Sequence, residues 1–65
     1  MSRRPRYRVQ KETDTGTVLH SHFEHTEQAA EYWARKWAAE TNIVGRIYRR
    51  RYSVYLHHRS FDNDD

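Results

Sequence analysis

The chain has 65 residues, of which 35% are hydrophobic and 32% are charged. A chain of this length buries only about 60% of the surface that its unfolded form exposes, so we expect one small domain without a large enclosed active site. It contains no cysteine, which excludes disulfides, thiolate zinc sites and a cysteine nucleophile. Because no long apolar segment is present, we predict neither a signal peptide nor a membrane span, and we expect a cytoplasmic protein.

The basic residues are unevenly distributed along the chain. The formal net charge is +3, but residues 1–59 hold twelve basic side chains against six acidic ones, a balance of +6. Ten of the twelve are arginine, which pairs bidentately with phosphate or carboxylate and stacks on planar rings. This bias favours a contact surface, although arginine-rich codon usage would give the same composition.

The first predicted element is a β-hairpin over residues 6–23. Tyr7 and Val9 alternate with polar residues, as in a half-buried strand. A turn follows in which Gly16 can take positive φ, and the next residues are again rich in β-branched and aromatic side chains.

A helix is predicted next, with Thr26 as its N-cap, Glu27 in its first turn and an end near Glu40, where Asn42 is the expected C-cap. Its apolar residues form one stripe, so we expect both tryptophans to face the sheet. The stripe consists of Ala29, Ala30, Trp33, Ala34, Trp37 and Ala38.

The segment from Ile43 to His58 is predicted to form a second hairpin. As a single strand it would span about 53 Å, which is longer than strands in small domains, so it must fold back. We place the turn at residues 49–51. Gly45 is expected to let a tryptophan ring approach the backbone.

These elements predict an α+β fold of order β-β-α-β-β, in which one helix packs on a small antiparallel sheet. We expect a basic flexible arm at residues 1–6, a single domain at 7–59 and a disordered acidic tail at 60–65.

The sheet face away from the helix is predicted to be rich in arginine and planar rings. Such a mixture suits single-stranded nucleic acid, since guanidinium groups neutralise phosphates and rings stack on bases. It also suits a protein interface, and it is compatible with ordinary cross-strand pairs on a solvated face. Alternation assigns to this face Arg6, Arg8, Gln10, Val18, His20, His22, Arg46, Tyr48, Tyr55 and His57.

Three adjacent arginines, Arg49, Arg50 and Arg51, form a separate feature at the predicted hairpin tip. Their mutual repulsion is a local cost that contacts with phosphate groups would offset, and the alternative is a solvated loop.

The histidines invite a metal hypothesis, because His20, His22 and His25 form an H-x-H-x-x-H pattern. Without cysteine and without an established spacing, the pattern favours exposed histidines on a polar face. We therefore predict no metal site and no cofactor. No convincing catalytic arrangement is present, so we predict that the protein is not an enzyme.

Several short patterns resemble small phage-encoded proteins, including anti-CRISPR inhibitors built from one helix on a short antiparallel sheet. They are Tyr-x-Val at residues 7–9, Thr-Glu-Gln-Ala at 26–29, the isoleucine-rich segment 43–47 and Tyr-x-Val-Tyr-Leu at 52–56. The resemblance implies a protein that blocks a host complex that handles nucleic acid, and it assigns no functional residue. Many such inhibitors are acidic mimics of DNA, which this basic chain is not.

We predict a basic, non-enzymatic protein that binds nucleic acid or a nucleoprotein complex. The alternative is an inhibitor or adaptor that binds only protein, and the third hypothesis is a module that forms a homodimer through an edge strand. No membrane partner is expected. The predicted binding residues are Arg6, Arg8, Arg46, Tyr48, Arg49, Arg50, Arg51, Tyr55 and His57.

Overall fold

The computed structural model describes residues 4–62. In chain order, one helix follows the first antiparallel hairpin and precedes the second. The strands form a single antiparallel sheet of order β2-β1-β3-β4. The predicted α+β fold and its element order are therefore confirmed. The elements are β1 (Tyr7–Thr13), β2 (Val18–Glu24), α1 (Glu27–Ala38), β3 (Ile43–Arg51) and β4 (Val54–Asp62).

Helix α1 begins where its capping residue predicts. Thr26 has extended backbone angles, and its hydroxyl accepts a hydrogen bond of 3.2 Å from the backbone N–H of Ala29. The helix ends at Ala38, two residues before the predicted end at Glu40. Asn42 is not the C-cap: it takes a left-handed φ of 63° in the turn that leads into β3, which asparagine tolerates better than most residues.

The core lies between α1 and the two central strands, β1 and β3. Val9 and Ile47 are fully buried at its centre, and the small side chains of Ala30 and Ala34 cover them. Trp37 completes the core, whereas Trp33 is only partly buried against it. The prediction that both tryptophans face the sheet agrees with these contacts.

Gly45 allows the helix to approach the sheet closely. A Cβ atom at this position would lie 2.1 Å from the carbonyl oxygen of Ala34. The neighbour of Gly45 is thus the helix backbone and not a tryptophan ring, contrary to our expectation. An alanine faces the sheet at this point of the helix, so no bulky side chain separates the two backbones.

The predicted position of the second turn is wrong. β3 continues through Arg49 to Arg51, and only residues 52 and 53 separate the paired residues Arg51 and Val54. The cause is the pairing of β3 with β1, in which Arg49 lies opposite Tyr7. This pairing holds Arg49 in an extended strand, and Arg50 and Arg51 are paired with Tyr55 and Val54 of β4.

The chain ends also differ in part from the predicted boundaries. β4 runs to Asp62, so residues 60–62, which we assigned to the disordered tail, lie in the sheet opposite residues 44–46. Residues 63–65 of that tail and residues 1–3 of the predicted arm lie outside the described residues. In the rest of the arm, the Pro5 carbonyl accepts a 2.7 Å hydrogen bond from the Tyr55 hydroxyl, and the Arg6 carbonyl accepts one of 2.6 Å from the Arg50 backbone.

Within the described part of the chain, no helix has the length and hydropathy of a membrane span.

Candidate functional site

Six predicted binding residues lie on the sheet face away from the helix, which we call the open face. Their register places them on the side opposite the buried Val9 and Ile47. They are Arg8, Arg46, Tyr48, Arg50, Tyr55 and His57.

The prediction that His20 and His22 share the open face is wrong. His20 lies opposite Lys11 and His22 opposite the buried Val9, and their rings contact those of Trp37 and Trp33, with centroid distances of 5.6 and 4.7 Å. The register of the β1–β2 pair shifts by one residue next to Lys11, which leaves an extra residue in β2. A bulge of this kind inverts the alternation of side chains beyond it.

Aromatic rings surround Arg8 on the open face. Its guanidinium carbon lies 5.2 Å from the ring centroid of Tyr48 and 5.3 Å from that of Tyr55, and Phe23 packs edge-on against Tyr55 at 5.8 Å. These distances allow cation–π attraction. The Nε atom of Arg8 is buried and has no hydrogen-bond partner among the described residues. The charge of Arg8 is therefore largely enclosed by its own chain.

Glu12 organises a second polar cluster on the open face. Its carboxylate is 5% exposed and accepts hydrogen bonds from Arg46 Nε at 3.1 Å and from the Tyr48 hydroxyl at 3.3 Å. Burial and the neighbouring Glu12 carboxylate raise the pKa of Tyr48, so its phenol stays protonated and donates. Arg46 also donates to Ser60, whose hydroxyl lies 2.8 Å from His57 Nε2. The polar groups of the open face are thus mainly paired with one another.

A different set of arginines gathers at one end of the sheet. Arg4 and Arg6, together with His25 and Arg50, line a depression of about 580 Å³. Arg50 also lines a neighbouring depression with Arg49 and Arg51 and with His57 and His58. We call this set the basic end, and its members are Arg4, Arg6, Arg49, Arg50 and Arg51.

No carboxylate among residues 4–62 lies within 4.0 Å of a guanidinium nitrogen of the basic end. By contrast, Lys11, Arg35, Arg46 and Arg59 each form an ion pair. Arg50 is held in place by a 2.9 Å hydrogen bond from its Nη1 to the Tyr52 carbonyl. Like charges so close together repel one another, and an anionic partner would relieve this repulsion.

Glu27 is an acidic side chain whose pKa responds to the charge of Arg49, and it already has a partner. Its carboxylate lies 2.8 Å from His58 Nε2, and this hydrogen bond, with the charges of His58, Arg59 and Arg49, lowers the pKa of Glu27 below its usual value. Glu27 therefore stays ionised at neutral pH but lies too far from Arg49 to pair with it.

The predicted binding residues fall into two groups. Arg6, Arg49, Arg50 and Arg51 belong to the basic end, whereas the other five are engaged on the open face. Arg49 lies on the side of the sheet that faces the helix, since its cross-strand neighbour is the core residue Tyr7. The predicted arginine tip and the predicted sheet face adjoin each other, because Arg50 lies opposite Tyr55 and His57 lines the same depression as the three arginines of the tip.

Sequence reasoning missed three residues at the basic end: Arg4, His25 and Tyr52. Arg4 was assigned to the flexible arm, and Tyr52 to the strand that follows the predicted turn at residues 49–51. The two-residue loop carries no glycine or asparagine, which are the usual signals for such a loop. The loop between Arg51 and Val54 can be located only once the register of β3 and β4 is known.

The histidines of the H-x-H-x-x-H pattern point in different directions. His20 and His22 contact the tryptophans, while His25 lines the depression at the basic end. Among residues 4–62, no group of three histidine, cysteine or carboxylate side chains is arranged to hold a metal ion.

Comparison of the chain with known protein families, with curated proteins and with solved structures found no match. The resemblance to phage-encoded inhibitors therefore stays a prediction.

Proposed function

We propose that the protein binds nucleic acid, free or within a nucleoprotein complex, and that the basic end is its phosphate-binding surface. It acts by binding and not by catalysis, in the cytoplasm. The observation that carries this proposal is the concentration of five arginines at one end of the sheet without an acidic partner among residues 4–62.

The shape of the basic end supports phosphate binding. Arg4, Arg6, Arg49 and Arg51 are exposed, so their guanidinium groups are accessible, and two depressions run between them. Arginine binds phosphate bidentately, and each phosphate that it neutralises releases a condensed counterion. The enclosed Arg8 and the paired Arg46 offer much less of this interaction.

The salt dependence of binding tests the proposal. Anisotropy of labelled single-stranded DNA, duplex DNA and RNA should show log affinity falling linearly with log salt concentration. The double variant Arg49→Gln with Arg51→Gln should reduce the slope by roughly 1.4 to 1.8, the value for two phosphates. The fold should be retained, because both side chains are exposed.

A charge-matched control separates this site from general electrostatics. The double variant Arg35→Gln with Lys36→Gln removes the same charge from exposed positions of α1. We expect its slope to equal that of the wild type. If the wild type binds none of the three nucleic acids at about 50 mM salt, where such attraction is strong, the proposal is wrong.

A partner that is only protein is the second candidate. Val54 and Leu56 are each half-exposed on the edge strand β4, and Leu56 borders the arginines of the basic end. Apolar groups beside arginine are typical of protein interfaces, including those of an inhibitor that binds a host complex. Capture of a protein that is lost with Leu56→Asp, with no nucleic-acid binding, would favour this candidate. A homodimer through β4 would appear in light scattering as a doubled mass.

A further inference from the structure

The tip of the second hairpin carries an unusual residue for its backbone conformation. Tyr52 and Ser53 form the two-residue loop between the paired residues Arg51 and Val54. The favoured loops of this length need positive φ at their first central residue, where glycine, asparagine or aspartate is common. Tyr52 occupies that position with a φ of 58°. A tyrosine is strained in this region because its Cβ atom crowds the following carbonyl.

Within residues 4–62, the Tyr52 ring takes no part in the packing of the fold. Its side chain is 86% exposed, the highest value among the large apolar residues. No ring contact or side-chain hydrogen bond involves it among residues 4–62. The other exposed tyrosine, Tyr32, contacts the Trp33 ring at 5.5 Å. Neither backbone preference nor burial therefore explains the tyrosine at position 52.

The residues around Tyr52 indicate which class of ligand its ring could contact. Arg49, Arg50 and Arg51 precede it directly, and Arg50 fixes the loop through a hydrogen bond to the Tyr52 carbonyl. An exposed ring that directly follows guanidinium groups without an acidic partner among residues 4–62 matches the two parts of a nucleotide, since the base offers a π-face and the phosphate offers a charge. An unpaired base exposes its face, whereas a base inside a duplex is covered by its neighbours.

We propose that Tyr52 stacks on an unpaired base of a single-stranded nucleic acid whose phosphates pair with the basic end. This inference rests on the proposed function and names its substrate class. Tyr52 contributes the preference for single strands, and the arginines contribute the salt-dependent affinity.

The test compares Tyr52→Leu and Tyr52→Phe with Tyr32→Leu as the matched control. Leucine keeps a side chain in the same strained position, so the folded state changes little, and equal denaturation midpoints verify this. The probes are an oligothymidine of about 16 nucleotides, the upper end of site sizes for one small domain, and a duplex of the same length. Affinities are measured by anisotropy at several salt concentrations.

We expect Tyr52→Leu to weaken binding of the single strand by roughly 5- to 150-fold, the range for the loss of one stacked base. The salt slope should not change, because stacking releases no counterions. Tyr52→Phe and Tyr32→Leu should bind like the wild type, and duplex binding should be little affected by any of these changes.

Two results would overturn the inference while the proposed function stands. One is unchanged single-strand affinity in Tyr52→Leu together with a reduced slope in the Arg49→Gln, Arg51→Gln variant. The other is an equal loss for the single strand and the duplex, which would show that no unpaired base is recognised. Failure of the wild type to bind either probe, and single-stranded RNA as well, would overturn both proposals.

Discussion

At the scale of single residues, Gly45 determines how closely the helix and the sheet can pack. In a Gly45→Ala variant, the added methyl group would overlap the Ala34 carbonyl, and backbone atoms cannot rotate away as a side chain can. We expect the free energy of unfolding to fall by about 3 kcal/mol or more, the upper range for overpacking. Urea denaturation monitored by tryptophan fluorescence measures this change. A midpoint equal to that of the wild type would contradict the close approach.

Gly16 offers a control for the effect of the methyl group itself. Nothing lies within 4 Å of a Cβ atom built on Gly16, although its φ of 96° strains any other residue. Gly16→Ala should therefore lose only about 1–2 kcal/mol, from backbone strain alone. The difference between the two variants isolates the clash with the helix.

Glu27 gives a pH-dependent signal at the residue scale. Its pKa is lowered chiefly by the hydrogen bond from His58, so the unfolded state binds this proton more readily than the folded state. The contribution of Glu27 to stability is therefore present above the ordinary glutamate range and is lost as the pH falls through the lowered pKa. In His58→Asn, NMR titration of the Glu27 carboxyl should show a pKa closer to the ordinary value. An unchanged pKa would mean that His58 is not the cause.

At the scale of secondary-structure elements, the apolar stripe of α1 packs against the sheet and forms one side of the core. Trp37 is 7% exposed, whereas Trp33 stays partly exposed. Trp37→Ala should therefore lower the free energy of unfolding by about 3–5 kcal/mol, and Trp33→Ala by roughly 2 kcal/mol. Thermal melts followed by circular dichroism distinguish the two variants. Equal losses would show that both rings are buried to the same extent.

Helix α1 and the two hairpins differ in how much of their structure the local sequence predicts. Thr26 predicts the start of α1 because a cap satisfies backbone groups only three residues away. The face of His22 could not be predicted, since one extra residue in β2 inverts the alternation. The position of the second turn could not be predicted either, because Tyr52 is not one of the residues that usually mark a two-residue loop.

At the scale of the whole molecule, the fold places some arginines against rings or carboxylates and gathers others at one end of the sheet. Arg8 is enclosed by rings and Arg46 is paired with a buried carboxylate, so both contribute to the fold. The ends of β3 and of the arm instead bring arginines together without acidic partners among residues 4–62. Such an arrangement produces a local positive potential that the net charge of the chain does not reveal.

The sequence by itself determined the α+β class, the order of the elements and the boundaries of α1 to within two residues. These features depend on capping, on alternation and on the spacing of apolar residues, all of which act over a few positions. It also showed that ten of the twelve basic residues are arginine, and this composition is the basis of the predicted binding residues.

Only the tertiary structure decided which arginines are available to a partner. The groups that neutralise or enclose a guanidinium lie far away in the chain, as Glu12 does for Arg46 and Tyr55 does for Arg8. Their meeting depends on strand order and register, which one inserted residue can change. The availability of an arginine is therefore a property of the folded chain and cannot be read from its neighbours in sequence.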